Sequence, residues 1–422
     1  MLITSGRILF WDSFQGLIDI SFSWVVFSMI MLIYFYGKKQ KYLALFISAY
    51  VLTSIAFMFK GLPAIAFLGI SLLTYFIIEK KFLKLFSWQH ILGFLSMLSL
   101  LGIYYYAYSQ ENSLDALFKQ LINESSKKAI GEEEGNKILP LILNFFHFPF
   151  RLFYEFAPWT ICILFYFRRV NLQLIRKEKF LWFLQWVFLS NIAIYWFSAD
   201  IRARYLFMLM PLLFIIFSRI YFFQMKQKSW DLKNIQTILS IVIWLFIPLL
   251  WIIPFWEETK KTENLWVIVI GGTIILTTLG ILYHKLQFQR WMIFILLLLF
   301  VRLFFNFSVL PTRYKHSKEK KYAESYYAVS TKYKDSKLGV FQGTYIMDFG
   351  IYHFTKHRQE IIPRTHRVFT PDYLYITNKH HLDLIENEYE FEYEVVDSFA
   401  VLFPDETFYL IHFPETQIQK VD

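Results

Sequence analysis

Four stretches of this chain hold ionisable residues whose types and spacing could do chemistry. In Gly6-Arg7-Ile8-Leu9-Phe10-Trp11-Asp12-Ser13-Phe14-Gln15-Gly16-Leu17-Ile18-Asp19, the residues Asp12, Gln15 and Asp19 recur at i, i+3 and i+7. That spacing predicts one shared face of a helix. Two carboxylates and an amide on one face suit a sugar hydroxyl, a cation or a basic partner, and the alternative for Asp12 is a plain ion pair with Arg7. In Phe59-Lys60-Gly61-Leu62-Pro63 an ammonium stands beside a glycine. Such a lysine can meet a phosphate while glycine lets backbone come close, although a lysine reaching for water has the same sequence. Asp200-Ile201-Arg202-Ala203-Arg204-Tyr205 sets two guanidinium groups two residues apart. They suit bidentate phosphate binding, with a salt bridge to Asp200 as the alternative. The fourth stretch, 110–140, predicts an amphipathic helix over Ser113 to Asn123 ending near Glu124, and its run Glu132-Glu133-Glu134 reads as solvated.

The elements that position these residues are apolar helices. Runs such as Gly61 to Ile78, Phe180 to Phe197, Arg204 to Phe223, Ile235 to Phe255 and Trp291 to Leu310 approach the ~20 residues needed to cross a hydrocarbon core of ~30 Å. In lipid every backbone polar group must be paired within its own segment, so runs of this kind are helical. The composition is 56% hydrophobic and 18% charged, against a soluble norm of about 45–50% and about 25%. These features predict a multi-pass α-helical membrane protein of about ten spans, residues 1–310, followed by a small α/β domain, residues 311–422. The net charge of +10 is concentrated in short loops between spans, which argues against nucleic acid as a partner. The single cysteine, Cys162, lies inside a span and excludes a disulfide framework.

Loop charge predicts the orientation. Lys38, Lys39 and Lys41, then Lys80, Lys81 and Lys84, then Arg168 to Lys179 follow odd-numbered spans, whereas the intervening loops are acidic or mixed. Positive-inside counting puts the odd loops in the cytoplasm and both chain ends outside, with the 311–422 domain extracytoplasmic. The four chemical stretches then all fall on the outer side, where the Ser113–Asn123 helix would lie along the membrane surface. An outer Met1 without a signal peptide leads to the expectation that an odd number of spans lies upstream.

After Pro311 the pattern changes. Tyr314 to Lys337 is basic and polar. Strand-like runs at Leu338–Gln342, Glu360–Pro363, Tyr373–Thr377, Tyr389–Val396 and Thr407–His412 then alternate with helices near Tyr345–Thr355 and His380–Asn387. His353, His357, His366, His380 and His381 lack metal-ligand spacing and read as solvated.

With these motifs on view, the chain resembles the polyprenol-dependent membrane glycosyltransferases of the GT-C class, among them protein O-mannosyltransferases and the bacterial enzyme that adds aminoarabinose to lipid A. Gly6, Arg7 and Asp12 resemble a Gly-Arg…Asp motif opening a span. Lys60-Gly61-Leu62-Pro63 loosely matches Thr-Lys-Gly-Pro, Pro158-Trp159 matches a Pro-Trp before a span, and Arg204-Tyr205 through Pro211 matches Arg-Tyr-(hydrophobic)-Pro. The likeness covers residues 5 to about 225.

The resemblance implies transfer of sugar from a polyprenyl-phosphate donor to a lipid, glycan or protein acceptor at the outer face of the cytoplasmic (inner) membrane. Lys60, Arg202, Arg204 and Tyr205 are then expected to hold the lipid phosphate. Arg7, Asp12, Gln15 and Asp19 are expected to line the sugar or acceptor cavity. In that family the catalytic aspartate follows an earlier span, so the base is expected upstream of Met1, with Asp12 and Asp19 as weak substitutes. The Asp12/Gln15/Asp19 face would then open to a groove, its carboxylates without partners. No cofactor is required. Some family members use a divalent metal, for which Glu124 is the sole candidate ligand. The competing readings are a lipid-linked glycan transporter or flippase and a non-catalytic membrane fragment of such an enzyme.

Overall fold

The computed structural model describes residues 1–14, 17–110, 114, 119, 138–197, 203–227, 230–257, 259–260, 262–315, 318–341, 344, 348–365, 368–389, 391–402 and 405–418. Two compact units emerge, Met1–Trp251 with Ile270–Phe304, and Ile252–Val269 with Phe305–Asp422.

The first unit is helical. Its elements are α1 (Gly6–Phe10), α2 (Ile18–Lys38), α3 (Tyr42–Lys60), α4 (Pro63–Ile78), α5 (Trp88–Ser109), α6 (Ile138–Glu155), α7 (Arg169–Lys177), α8 (Lys179–Trp196), α9 (Met210–Gln227), α10 (Trp230–Ile252), most of α11 (Leu265–Lys285) and most of α12 (Arg290–Ser308). Among the described residues, six helical stretches are long and apolar enough to cross a membrane: Ile18–Lys38, Tyr42–Lys60, Trp88–Ser109, Leu232–Phe255, Leu265–Lys285 and Gln287–Ser308. The chain is a helical multi-pass membrane protein. The other four expected spans are shorter or broken. Pro63–Ile78 has 16 residues, and Lys179–Trp196 and Met210–Gln227 have 18 each. The expected fifth span stops at Glu155 and resumes as a nine-residue 3-10 helix, Trp159–Phe167. Pro158 accounts for that break, because a proline disfavours helical geometry in the residue before it.

A correction concerns the N-terminal segment. The i, i+3, i+7 pattern predicts one helix through Asp12, Gln15 and Asp19. Instead, α1 ends at Phe10, Asp12–Phe14 forms a 3-10 turn, and α2 begins only at Ile18. Asp and Ser favour turns and caps over helix interiors because their side chains compete for backbone hydrogen bonds. The two aspartates therefore stand on different elements. Gln15 lies outside the described residues, as do Arg202, Glu124 and most of the expected Ser113–Asn123 surface helix.

Helix α3 packs against α2 and α5, and α4 packs against α8. Phe22, Phe46, Phe67 and Phe76 are fully enclosed among them. Lipid tails are as apolar as these side chains, so close van der Waals fit rather than water exclusion holds such helices together.

In the second unit, α13 (Leu310–Lys315) and α14 (Lys318–Lys332) precede β1 (Lys337–Phe341), α15 (Asp348–Arg358), β2 (Arg364–Thr365), β3 (Val368–Phe369), β4 (Tyr373–Asn378), α16 (Lys379–Leu384), β5 (Glu394–Leu402), β6 (Asp405–His412) and β7 (Gln417–Ile418). Five strands make a mixed sheet of order β2-β1-β4-β6-β5, parallel across β2, β1 and β4 and antiparallel across β4, β6 and β5. Tyr326 and Val329 of α14 enter its core beside Leu338, Phe354 and Leu410. The basic stretch after Tyr314 thus hides a helix with one apolar face. The expected strand at Glu360–Pro363 is absent, and pairing begins at Arg364.

Candidate functional site

The site is built from the ends of α2 and α3 and the short turn before α9. Asp19, in the first turn of α2, is 4% exposed. The ammonium of Lys60, the last residue of α3, pairs with its Oδ1. Arg204, in the 3-10 turn Ala203–Leu206, places Nε 3.6 Å from Asp19 Oδ2. Residues that the sequence scatters over three stretches therefore meet on one carboxylate. Among the described residues, the buried Nε of Arg204 has no hydrogen-bond acceptor.

Aromatic rings close the cluster from the side. Lys60 Nζ lies 4.5 Å from the centre of the Tyr205 ring and 5.3 Å from that of Phe22. The Arg204 guanidinium is 5.8 Å from the Tyr205 ring. Such faces attract cations through their negative π-clouds. Tyr205 in turn stacks on Tyr195 at 6.0 Å.

The local sequence explains how Lys60 is held there. Gly61 has φ 71 and ψ −138, a conformation closed to side-chain-bearing residues, and its N–H caps α3 on the Phe57 carbonyl at 2.7 Å. Pro63 then opens α4, where its missing N–H costs nothing. Lys60-Gly61-Leu62-Pro63 is thus a turn that ends one helix and starts the next. The glycine is what that backbone geometry requires.

Arg7 and Asp12 form a separate, balanced pair. Arg7 Nε donates to Asp12 Oδ2 at 2.8 Å and Nη2 to Oδ1 at 3.3 Å, and Asp12 is fully buried. This is the ion pair given above as the alternative to a binding role. The expectation that the Asp12 and Asp19 carboxylates lack partners is overturned, since both are ion-paired within the chain.

Two of the sequence motifs also meet. The Gly6 N–H donates to the Ala157 carbonyl at 2.8 Å, and Trp159 Nε1 donates to Thr4 Oγ1 at 2.9 Å. Gly6-Arg7 is thereby docked on Pro158-Trp159, and Trp159 is fully buried.

One residue escaped the sequence reading. Arg302, in α12, donates from Nη1 to Ser13 Oγ at 2.8 Å. The signal was present, because an arginine inside the run Phe300-Val301-Arg302-Leu303-Phe304 is an intramembrane charge, which ordinarily marks a partner or a pathway. Among the described residues no group of three or more His, Cys, Asp or Glu is placed to hold a metal ion. In the second unit, His353 and His357 engage Tyr327 and Ser330, and His381 engages Asn378. Burial holds His353 and His381 below the usual histidine range.

No protein-family model and no curated protein sequence matches the chain. Two solved structures do. One is the crystal structure of ArnT from Cupriavidus metallidurans bound to undecaprenyl phosphate, with TM-score 0.57 and 12% identity, covering 97% of this chain and 77% of that one. The other is the same protein in the apo state, with TM-score 0.52 and 13% identity, covering 93% of this chain and 74% of that one. At that identity the likeness is one of fold, and it extends over both units: the chain has the fold seen in these ArnT structures.

Proposed function

We propose that this chain moves a sugar from a polyprenyl-phosphate carrier to a lipid, glycan or protein acceptor at the outer face of the cytoplasmic membrane, with ten crossings and residues 311–422 outside. The observation that carries the reading is the meeting of Lys60 and Arg204 on Asp19 beside Tyr205. ArnT is seen with undecaprenyl phosphate in one of the similar structures, and we carry over that class of carrier.

The electrostatics suit the chemistry. Two cations and one carboxylate sum to one positive charge. A sugar-bearing polyprenyl phosphate is a diester with one negative charge, and the phosphate gains a second as the bond to the sugar breaks. A fixed positive cluster stabilises that developing charge more than the bound diester, which lowers the barrier rather than merely tightening binding. Asp19 acts here by holding the two cations in place. Arg202 is assigned to the same phosphate, and Arg7, Asp12 and Gln15 to the sugar or acceptor side, with the Arg7–Asp12 pair shaping the wall.

The attacking hydroxyl must lose a proton to a base, and neither aspartate is free for that task as placed. This observation favours a second reading, in which the chain holds the lipid-linked sugar without transferring it. Purified full-length chain in vesicles, given short-chain polyprenyl phosphates carrying a panel of labelled sugars, separates the two. Movement of label from the carrier to an acceptor lipid, glycan or peptide supplied in the vesicles, with release of polyprenyl phosphate and both lost in Lys60→Met, supports transfer. Binding without release supports the second reading, and absence of both refutes each.

A further inference from the structure

The helix that begins with Asp19 ends in a second site. Helix α2 has 21 residues, which at ~1.5 Å per residue is a length of ~30 Å, so its C-terminal end lies across the bilayer from the Asp19 cluster. There a cavity of about 480 Å³ is lined by Tyr34, Lys38, Tyr75, Glu79, Lys81 and Lys179, among others, at the ends of α2 and α4 and the start of α8.

Its charge is unbalanced. Glu178 also lines the cavity, but Arg219 holds it in a two-bonded pair, with Nε 3.1 Å from Oε2. That leaves Lys38, Lys81 and Lys179 against Glu79. Among the described residues Lys38 and Lys179 have no ion-pair partner, whereas the Lys81 ammonium donates to the Tyr42 hydroxyl at 3.0 Å. The wall is shaped for polar contact. A Cβ on Gly37 would fall 2.2 Å from the Tyr75 hydroxyl oxygen, so the missing side chain is what lets that hydroxyl stand at the cavity beside the lysines. Tyr34 is fixed opposite by Phe180 and Phe183, with ring centres 4.8 and 5.1 Å away.

We propose that this cavity binds the phosphate of an anionic membrane-lipid headgroup. It opens at the lysine-rich end of a membrane-spanning bundle, where basic pockets between helices meet lipid phosphates at headgroup depth. A phosphodiester carries the single negative charge that the excess lysines can match, and the Tyr34 and Tyr75 hydroxyls can donate to its oxygens. The site is separate from the Asp19 cluster and does not depend on the function proposed for it.

The test titrates purified full-length chain in neutral detergent with phosphatidylglycerol, phosphatidylcholine and inorganic phosphate, reading bound lipid by native mass spectrometry. One tight, saturable phosphatidylglycerol is expected. Each ammonium near the surface is worth about fivefold, so the K38Q/K179Q double variant weakens it about thirtyfold, while K38R/K179R stays near the parent. Both lysines are exposed, and polyprenyl-phosphate binding should be unchanged in both variants. Phosphatidylglycerol affinity unchanged in K38Q/K179Q, or matched by phosphatidylcholine, overturns the proposal. Displacement of the lipid by inorganic phosphate at equal concentration makes this a free-phosphate site and overturns the lipid assignment. Equal loss of polyprenyl-phosphate binding in K38Q/K179Q places the lipid elsewhere and also overturns it.

Discussion

Replacing Asp19 by asparagine keeps the shape of the cluster and removes its one negative charge, so stability and phosphate affinity should move in opposite directions. Asp19 is 6% exposed at its side chain, with Lys60 and Arg204 at 18% each. Removing one partner of a buried ion pair costs roughly 3–5 kcal/mol, because the other charge is stranded. Access to headgroup water for the two cations pulls the figure toward the lower end, about 3 kcal/mol. A phosphate seated on the same two cations would lie roughly 6 Å from the carboxylate. At an effective dielectric of about 20, one unit of repulsion at that distance is about 2.8 kcal/mol, so its removal should tighten a polyprenyl phosphate by roughly a hundredfold. Thermal unfolding of parent and Asp19→Asn in neutral detergent gives the first quantity, and titration with a short-chain polyprenyl phosphate gives the second. A lower Tm together with tighter binding is expected. Binding that weakens along with stability would refute the reasoning and make Asp19 a ligand contact in its own right.

Lys60→Met and Arg204→Met should each weaken the same lipid about tenfold or more, and the double variant should bind no better than bare detergent; an unchanged titration removes both from the site. Asp12→Asn strands Arg7 beside a neutral side chain and should lower stability by about 3 kcal/mol while leaving lipid-phosphate affinity within a factor of three, read by the same melt and titration. Reporter fusions after Pro311 and after Lys177 should be active outside and inside respectively, and activity of a cytoplasm-only reporter at Pro311 defeats the orientation. Burial depresses His353 and His381, so the unfolded chain binds more protons below the ordinary histidine value. Their contribution is therefore complete above about pH 6.5 and fades as pH falls through it; hydrogen exchange over 337–418, corrected for intrinsic rate, should show less protection at pH 5.5 than at pH 7.5.

The chemistry of the candidate site was legible as residue types and illegible as contacts. Lys60 and Arg204 stand out because a cation at the end of an apolar run is costly, and Tyr205 because it adjoins one of them. Nothing in local spacing says that both cations turn to Asp19, since that contact joins three separate elements and is set by how α2, α3 and the turn before α9 pack. The apparent helical face through Asp12, Gln15 and Asp19 misled for a related reason. Periodicity reports what a helix would do, but Asp12 gains more from the Arg7 guanidinium and a 3-10 turn than from a place in α2. The runs that contain proline or end on charge, at Pro158, Lys179 and Arg204, give shorter or interrupted helices whose ends hydrophobicity alone does not place. The central strands of the second unit were easier, because the aromatic and β-branched runs at Tyr373–Asn378 and 407–412 favour extended backbone without long-range information. Helix α14 was not, because its apolar face amounts to little more than Tyr326 and Val329 in a basic stretch.

The two ion clusters of the first unit make an internal comparison that bears on function. Buried charge contributes little to stability against well-packed apolar groups, and in a membrane protein it is retained for orientation or for a ligand. Arg7 and Asp12 satisfy the structural case: one cation, one carboxylate, both carboxylate oxygens bonded, and a fixed N-terminal turn docked on Trp159 as the result. The Asp19 cluster differs on each point that matters. It gathers two cations on one carboxylate, leaves a buried guanidinium N–H without an acceptor among the described residues, and faces both cations with an aromatic ring. A pair serving only to pin α2 to α3 needs Lys60 alone. Arg204 adds desolvation cost without adding a second anion, and a phosphate is the kind of group that would repay it.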